Sequence, residues 1–195
     1  MNTKTLFAGA ALALAAATPT FAAEGLRPVL GAEFTGGGET LIDVEYTGGA
    51  HRKISSGGLM RVFGGVEYTE PGSAWTLQAT VGYHFDRASA SNGSVSFSRV
   101  PFEVLGFWNV NDNWRLGGGL RKATSSRFEV SGVLNDYATD FNMRTSVGFV
   151  LQGEYQFGQH GSVFLRYVDE TYKSNYLVGG EVDGSHGGLG FAWRF

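Results

Sequence analysis

The chain ends Gly187-Gly188-Leu189-Gly190-Phe191-Ala192-Trp193-Arg194-Phe195, and the reading of this stretch decides the fold. Large apolar side chains take the odd positions (Leu189, Phe191, Trp193, Phe195), and small or charged ones take the even positions (Gly188, Gly190, Ala192, Arg194). Successive side chains of a β-strand point to opposite faces, so this is a strand with one apolar and one small or polar face. A soluble sheet can carry such a strand. What covers the apolar face has to be read from the rest of the chain.

Seven earlier segments repeat the alternation: Leu30 to Phe34, Met60 to Tyr68, Trp75 to Phe85, Val100 to Val110, Trp114 to Leu120, Val147 to Phe157 and Val163 to Tyr167. The cleanest sets Trp75, Leu77, Ala79, Val81, Tyr83 and Phe85 against Thr76, Gln78, Thr80, Gly82 and His84. Upstream of all of them, residues 1–22 read as a cleaved export signal. Lys4 precedes an apolar run from Leu6 to Ala17, and Thr20 and Ala22 offer small residues at a cleavage site. The run is too short to cross a bilayer as a helix. A mature domain of residues 23–195 follows. It has no cysteine, hence no disulfide, thiolate nucleophile or cysteine metal site. A formal charge of −3 is no nucleic-acid footprint. With 30 glycines and 4 prolines the composition would suit disorder, but 14% aromatics argue against it. Beyond residue 22 no apolar run reaches a helical span, which leaves a periplasmic sandwich or a membrane barrel.

The aromatic residues separate these two. In a sandwich they would spread through the core. Here Tyr68, Trp75, Trp108, Trp114, Tyr155, Phe157, Trp193 and Phe195 gather at strand ends beside the compact turns Thr69–Ala74, Asn111–Asn113 and Gly158–Ser162. That is the girdle expected where a lipid-facing band meets headgroups. Short turns at one end and long loops at the other match the periplasmic and extracellular ends of a barrel, and a closed even-numbered ring leaves no unpaired edge in lipid.

The pattern resembles the small eight-stranded bacterial outer-membrane β-barrels of the OmpA/OmpX type, and the resemblance covers the whole mature chain. It implies an all-β fold: an eight-stranded, antiparallel, up-and-down transmembrane barrel in the outer membrane of a Gram-negative bacterium. It further implies a monomer without cofactors that contacts outer-membrane lipid and lipopolysaccharide. Phe191, Trp193 and Phe195 would be the signal read by the barrel-insertion machinery.

Inward positions carry Glu33, Arg61, Glu67, His84, Asp86, Arg99, Glu103, Arg115, Arg121, Glu154, Arg166, Glu170 and Arg194. Placing Val110 opposite Trp114 sets Glu103 opposite Arg121. Placing Phe157 opposite Val163 sets Glu154 opposite Arg166. An Asn92-Gly93 turn sets Asp86 opposite Arg99, Tyr83 opposite Phe102 and Trp75 opposite Val110. These pairs predict a lumen plugged by ions, because eight strands leave an interior that side chains fill. The reading is a structural or surface-interaction barrel. A passive solute pore is the alternative, and a lipid A-modifying enzyme comes third. A His84–Asp86 base is set aside because Asp86 is taken up by Arg99, and Ser185 and His186 face opposite ways on a strand. His51, His84, His160 and His186 sit on separate segments and predict no metal site. Asp183-Gly184-Ser185 reads as a turn, and Gly36-Gly37-Gly38 as a bend.

The outer hairpins are expected to run on as ribbons. A turn at Gly48-Gly49-Ala50 sets Val44 opposite Ile54, Glu45 opposite Lys53 and Leu30 opposite Tyr68. A turn at Asn135-Asp136 sets Phe128 and Val130 opposite Met143 and Phe141. Strands of roughly 17–20 residues exceed the 9–11 needed to cross the bilayer. An exposed apolar stripe of Val44, Ile54, Phe128 and Phe141 is expected to offer edges to a surface protein partner.

Overall fold

The computed structural model describes residues 25–45, 51–90, 93–132, 141–174 and 180–195. The export signal and the turns at 48–50 and 135–136 lie outside them. The strands are β1 (Leu26–Gly37), β2 (Thr40–Glu45), β3 (His51–Ser55), β4 (Leu59–Thr69), β5 (Trp75–Ala90), β6 (Gly93–Asn109), β7 (Trp114–Gly132), β8 (Phe141–Thr145), β9 (Val147–Phe157), β10 (Gly161–Asp169), β11 (Thr171–Lys173), β12 (Glu181–Asp183) and β13 (His186–Arg194). Eight of them close an antiparallel ring: β1, β4, β5, β6, β7, β9, β10, β13 and back to β1. These are the eight alternating segments of the sequence. The C-terminal β13 closes the ring between β1 and β10.

Outward positions form a continuous apolar belt in which Phe34, Leu165 and Leu151 are 66%, 67% and 65% exposed. A belt of this extent is not stable against water, and with every ring edge paired it fits hydrocarbon. Facing the lumen, each of the inward charges named above is buried. Above the belt, β5, β6 and β7 continue without a break until Gly93 faces Gly132, so the extended outer ribbons are present. β2, β3, β8, β11 and β12 complete this outer extension.

Registers differ from the expected ones, always by an even slip. Glu103 does face Arg121. However, β5 and β6 pair so that Trp75 faces Trp108, Val81 faces Phe102, His84 faces Arg99 and Asp86 faces Phe97. The cause is the hairpin end, where Ala90 faces Gly93, so Gly93 belongs to the strand and not to the turn. In the same way Phe157 faces Gly161, and Arg166 faces Gln152 rather than Glu154. Tyr68 faces Leu26, not Leu30. Ile42 faces Ile54 and Asp43 faces Lys53. Phe128 faces Phe141, and Met143 faces Ser126.

The exposed apolar stripe is overturned. Ile54 and Phe128 are buried, in one cluster with Val95, Phe97, Met143, Tyr172 and Val182, against which Leu41 packs. Side chains of Val44 and Phe141 lie outside the description. The reversal at Phe128 has a local cause. Ser98 faces Arg127 while Val100 faces Thr124, so β7 carries one extra residue there. Such a bulge inverts the phase of everything beyond it. Lumen-facing parity therefore passes from odd at Arg121 to even at Ser126 and Phe128. For Ile54, the break is the Ser56-Gly57 turn that separates β3 from β4.

This packing has a measurable consequence. Amides of residues 95–98 and 127–129 should exchange slowly with deuterium in micelles, close to the rate of the ring itself, because they sit in a ladder over a dry core. Random-coil rates there would show that the ribbons are not formed.

The lumen as candidate functional site

The interior is layered, and alternation combined with glycine builds the layers. Many bulky inward side chains lie beside an inward glycine of the neighbouring strand: Phe107 against Gly117, Phe63 against Gly31, Phe164 against Gly190 and Arg166 against Gly188. Those glycines give the room in which large groups cross a narrow barrel.

At the turn end lies an ionic layer. Glu67 accepts from Arg115 at 3.1 Å and from Arg194 at 2.7 Å. Glu154 accepts from Arg115 at 3.0 Å and also from Arg194. A polar vestibule of about 510 Å³, with Arg27, Asn109 and Gln156 on its wall, opens below this layer. Above it the lumen turns apolar, with Val29, Phe63, Phe164 and Ala192 beside Leu105, Phe107, Val150 and Val168. Guanidinium groups cover two of the rings: Arg115 stands 4.1 Å from the centre of Phe107, and Arg61 stands 4.5 Å from that of Phe63.

The third layer is ionic again and centres on Glu103. Its carboxylate accepts from Arg61 at 2.7 Å, Arg121 at 2.7 Å and Arg166 at 2.9 Å. Arg61 and Arg166 also donate to Glu33, and Arg121 donates to Glu170 at 2.9 Å. His84 lies in the same layer. Its Nε2 is 2.8 Å from Thr35 Oγ1 and its Nδ1 is 3.3 Å from Arg121. Arg99 also approaches Nε2, at 3.2 Å, so each ring nitrogen faces a guanidinium donor and the neutral ring accepts from one of the two. The ring of His186 is 5.2 Å from that of His84, edge on. Last comes the apolar cap built on Ile54, Phe97, Phe128 and Tyr172. Tyr172 anchors it by donating to Glu170 at 2.5 Å, and Arg99 is held between the rings of Phe97 and Tyr172.

Of the pairs expected from sequence, Glu103–Arg121 is a direct ion pair. Glu154 and Arg166 are brought into different layers: Glu154 meets Arg115 and Arg194, and Arg166 meets Glu103 and Glu33. Asp86 accepts from the backbone N–H of Ser55 at 3.3 Å, while Arg99 lies 3.9 Å from Glu170. Partnerships that skip a strand, such as Arg194–Glu67 over β1 and Arg166–Glu33 over β13, were missed, since strand register says nothing about groups beyond the adjacent strand. The aromatic residues Tyr68, Trp75, Trp108, Trp114, Tyr155 and Trp193 are all exposed and outward at the turn end, with Trp114 and Tyr155 5.0 Å apart between ring centres. His160, in the turn before β10, stacks on Trp193. Asp183, expected in a turn, ends β12, and its side chain accepts from the N–H of Ser185.

No protein-family model and no curated protein sequence matches the chain. Solved structures do. Ail, the attachment invasion locus protein of Yersinia pestis, superposes with a TM-score of 0.52 at 10% identity, over 87% of this chain and 97% of that one, in its complex with the heparin analogue sucrose octasulfate. A second Ail structure gives 0.51 at 11% identity, with the same coverage of both chains. Neisserial surface protein A gives 0.49 at 12% identity, over 88% and 98% of the two chains. The closed ring, the apolar belt and this shared chain path converge, and the chain has the fold of the small eight-stranded β-barrels of the Gram-negative outer membrane.

Proposed function

We propose that this barrel is sealed and serves the cell through its ordered outer ribbons, as a structural or surface-interaction protein. The observation that carries the reading is the layering of the lumen, in which two ionic layers alternate with two apolar ones. A hydrated solute would have to break the Glu103 cluster and also part packed Phe63, Phe107 and Phe164. Each ionic layer is costly to open because it would leave buried charges without partners. Ail, which shares the fold, was solved in complex with the heparin analogue sucrose octasulfate, and this supports ligand docking as a use of the architecture. Among the described residues of the ribbons, Ile54, Val95, Phe97, Phe128, Met143, Tyr172 and Val182 are turned inward, which leaves polar side chains such as Lys53, Arg127, Arg144 and Glu181 exposed.

The refolded chain should give no steady current in a planar bilayer. Open channels that pass sugars would sink this reading and promote the passive pore. Catalysis is also outside the proposal. His84, Asp86 and His186 are enclosed in the lumen, and Ser185 Oγ is engaged by Asp169 at 3.4 Å, which supports unchanged lipid A in cells that express the protein. The same reading takes residues 1–22 as a cleaved signal, the outward aromatic residues at the turn end as the girdle that fixes the barrel's depth, and Phe191, Trp193 and Phe195 as the insertion signal.

A further inference from the structure

We propose that the vestibule at the turn end of the lumen binds a short zwitterionic peptide, with its carboxylate on the β1 side and its ammonium group on the side of the β6–β7 turn. The inference rests on the orientation in the preceding reading, with the short turns facing the periplasm, but on neither the seal nor the ribbons.

Two independent observations meet there. The first is a concave polar space whose walls are fixed in advance. The vestibule holds about 510 Å³, a size usual for small-ligand sites. Thr69 and Thr76 share a hydroxyl hydrogen bond at 2.7 Å, and Asn109 donates to Thr76 at 3.1 Å. Asn111 Oδ1 accepts from the N–H groups of Asn113 and Trp114, both at 2.9 Å, which sets the turn that carries Asp112. Both backbone groups of Gln156 are tied to Asn113, while its side-chain amide has no partner among the described residues. That amide can donate to and accept from a peptide group.

The second observation is a separation of unmatched charge. In the β1–β4 ladder Arg27 faces Glu67, but the Glu67 carboxylate is taken by Arg115 and Arg194. Arg27 is left exposed in the vestibule wall, with no carboxylate partner among the described residues. Glu70 and Asp112, exposed in the β4–β5 and β6–β7 turns, have no cation partner among them either. Ring order then sets the polarity. Three strands separate β1 from β7 in either direction, so Arg27 and the turn of Asp112 stand on opposite walls, with Glu70 between them on one side. The roof adds no net charge, since Arg115 and Arg194 are balanced by Glu67 and Glu154. A simple cation or anion would satisfy one wall and be repelled by the other. A molecule with a carboxylate at one end and an ammonium group at the other satisfies both, and amide groups between them suit Gln156. A peptide with free termini has all three.

An NMR titration of the isotope-labelled, refolded mature chain in micelles tests the proposal with three probes: trialanine, its N-acetylated form and its C-terminal amide. Trialanine should shift the backbone amides of Thr69, Asn109 and Gln156 with one-site saturation, and leave the ribbon residues 95–98 unmoved. Blocking either terminus should weaken binding about five-fold, the upper end for one part-screened ion pair. Arg27→Gln should also weaken trialanine about five-fold, and in that variant the C-terminal amide should bind as well as trialanine does. In the double variant Glu70→Gln with Asp112→Asn, the acetylated form should bind as well as trialanine does. Each variant is first checked for the heat-sensitive gel mobility of a folded barrel. Equal binding of the three probes by the wild type, or an undiminished preference for the free carboxylate in Arg27→Gln, overturns the site. Sensitivity to one terminus only overturns the zwitterionic assignment, and shifts confined to the ribbons overturn the location. A barrel that conducts yet binds trialanine removes the seal alone. A sealed barrel that gives no saturable shift removes this site alone.

Discussion

Glu103→Gln should lower the unfolding free energy in lipid vesicles by about 3–5 kcal/mol, the range for removing one partner of a buried ion cluster. Arg61, Arg121 and Arg166 all donate to this one carboxylate from three different strands, β4, β7 and β10. Glutamine keeps the shape but not the charge, so three buried guanidinium groups would face only Glu33 and Glu170. Arg121→Ala should cost less, because Glu103 would keep Arg61 and Arg166, and Glu170 would keep Arg99 nearby. That order is the diagnostic part. In this fold an acid that gathers cations from non-neighbouring strands is worth more than any one of the cations, since each arginine is local to its strand and the acid is common to all. Guanidinium titration, followed by tryptophan fluorescence at the lipid interface, measures both. A loss below about 1 kcal/mol for Glu103→Gln would mean that water fills this layer, and the seal would then be in doubt as well.

What the sequence could and could not say follows from the geometry of a strand. Alternation has a period of two, so it assigns each residue to the lumen or the lipid, and that assignment holds at every inward charge from Glu33 to Arg194. It cannot assign register by itself. A slip of two or four residues leaves every side chain on its own face, and the misplaced pairings are slips of that kind: Asp86 against Phe97 rather than Arg99, Glu154 against Phe164 rather than Arg166, and Tyr68 against Leu26 rather than Leu30. Matching an acid to an arginine across a hairpin was a weak guide, because such matches need not lie on adjacent strands. Glu154 finds Arg115 on one neighbour and Arg194 two strands away on the other side. The bulge in β7 was hidden for a different reason. Ser125-Ser126 carries no apolar signal of either phase, so nothing in the pattern marks where Phe128 turns from lipid side to core. The functional consequence is large. Ile54 and Phe128, expected on a sticky edge, instead help to form the cap of the lumen.

The crowding that makes the lumen a plug also predicts which glycines cannot be replaced. Gly119→Ala should cost about 3 kcal/mol, at the upper end for overpacking, and should lower refolding yield. Its added methyl group would stand 2.0 Å from the carbonyl oxygen of Val104 and 2.8 Å from Leu105 Cα, both backbone atoms of β6 that cannot move without breaking the ladder. Gly65 meets the same obstacle, 2.0 Å from the carbonyl oxygen of Ala79, so Gly65→Ala should behave alike. Gly117→Ala should be milder, because the group it meets, 2.4 Å away, is the Phe107 ring, a side chain that can swing by a few degrees. Gly106 provides the control on the same strand pair. It faces lipid, and its nearest neighbour would be 4.0 Å away. Gly106→Ala should be neutral, or stabilise by up to about 1 kcal/mol through the lower entropy of the unfolded chain. The reason for the asymmetry is curvature: side chains on the concave face of an eight-stranded ring converge, and those on the convex face diverge. Titration of the four variants side by side tests this. Equal losses for Gly119→Ala and Gly106→Ala would show that the lumen has slack, and that the inward glycines are not what lets the phenylalanines and arginines close it.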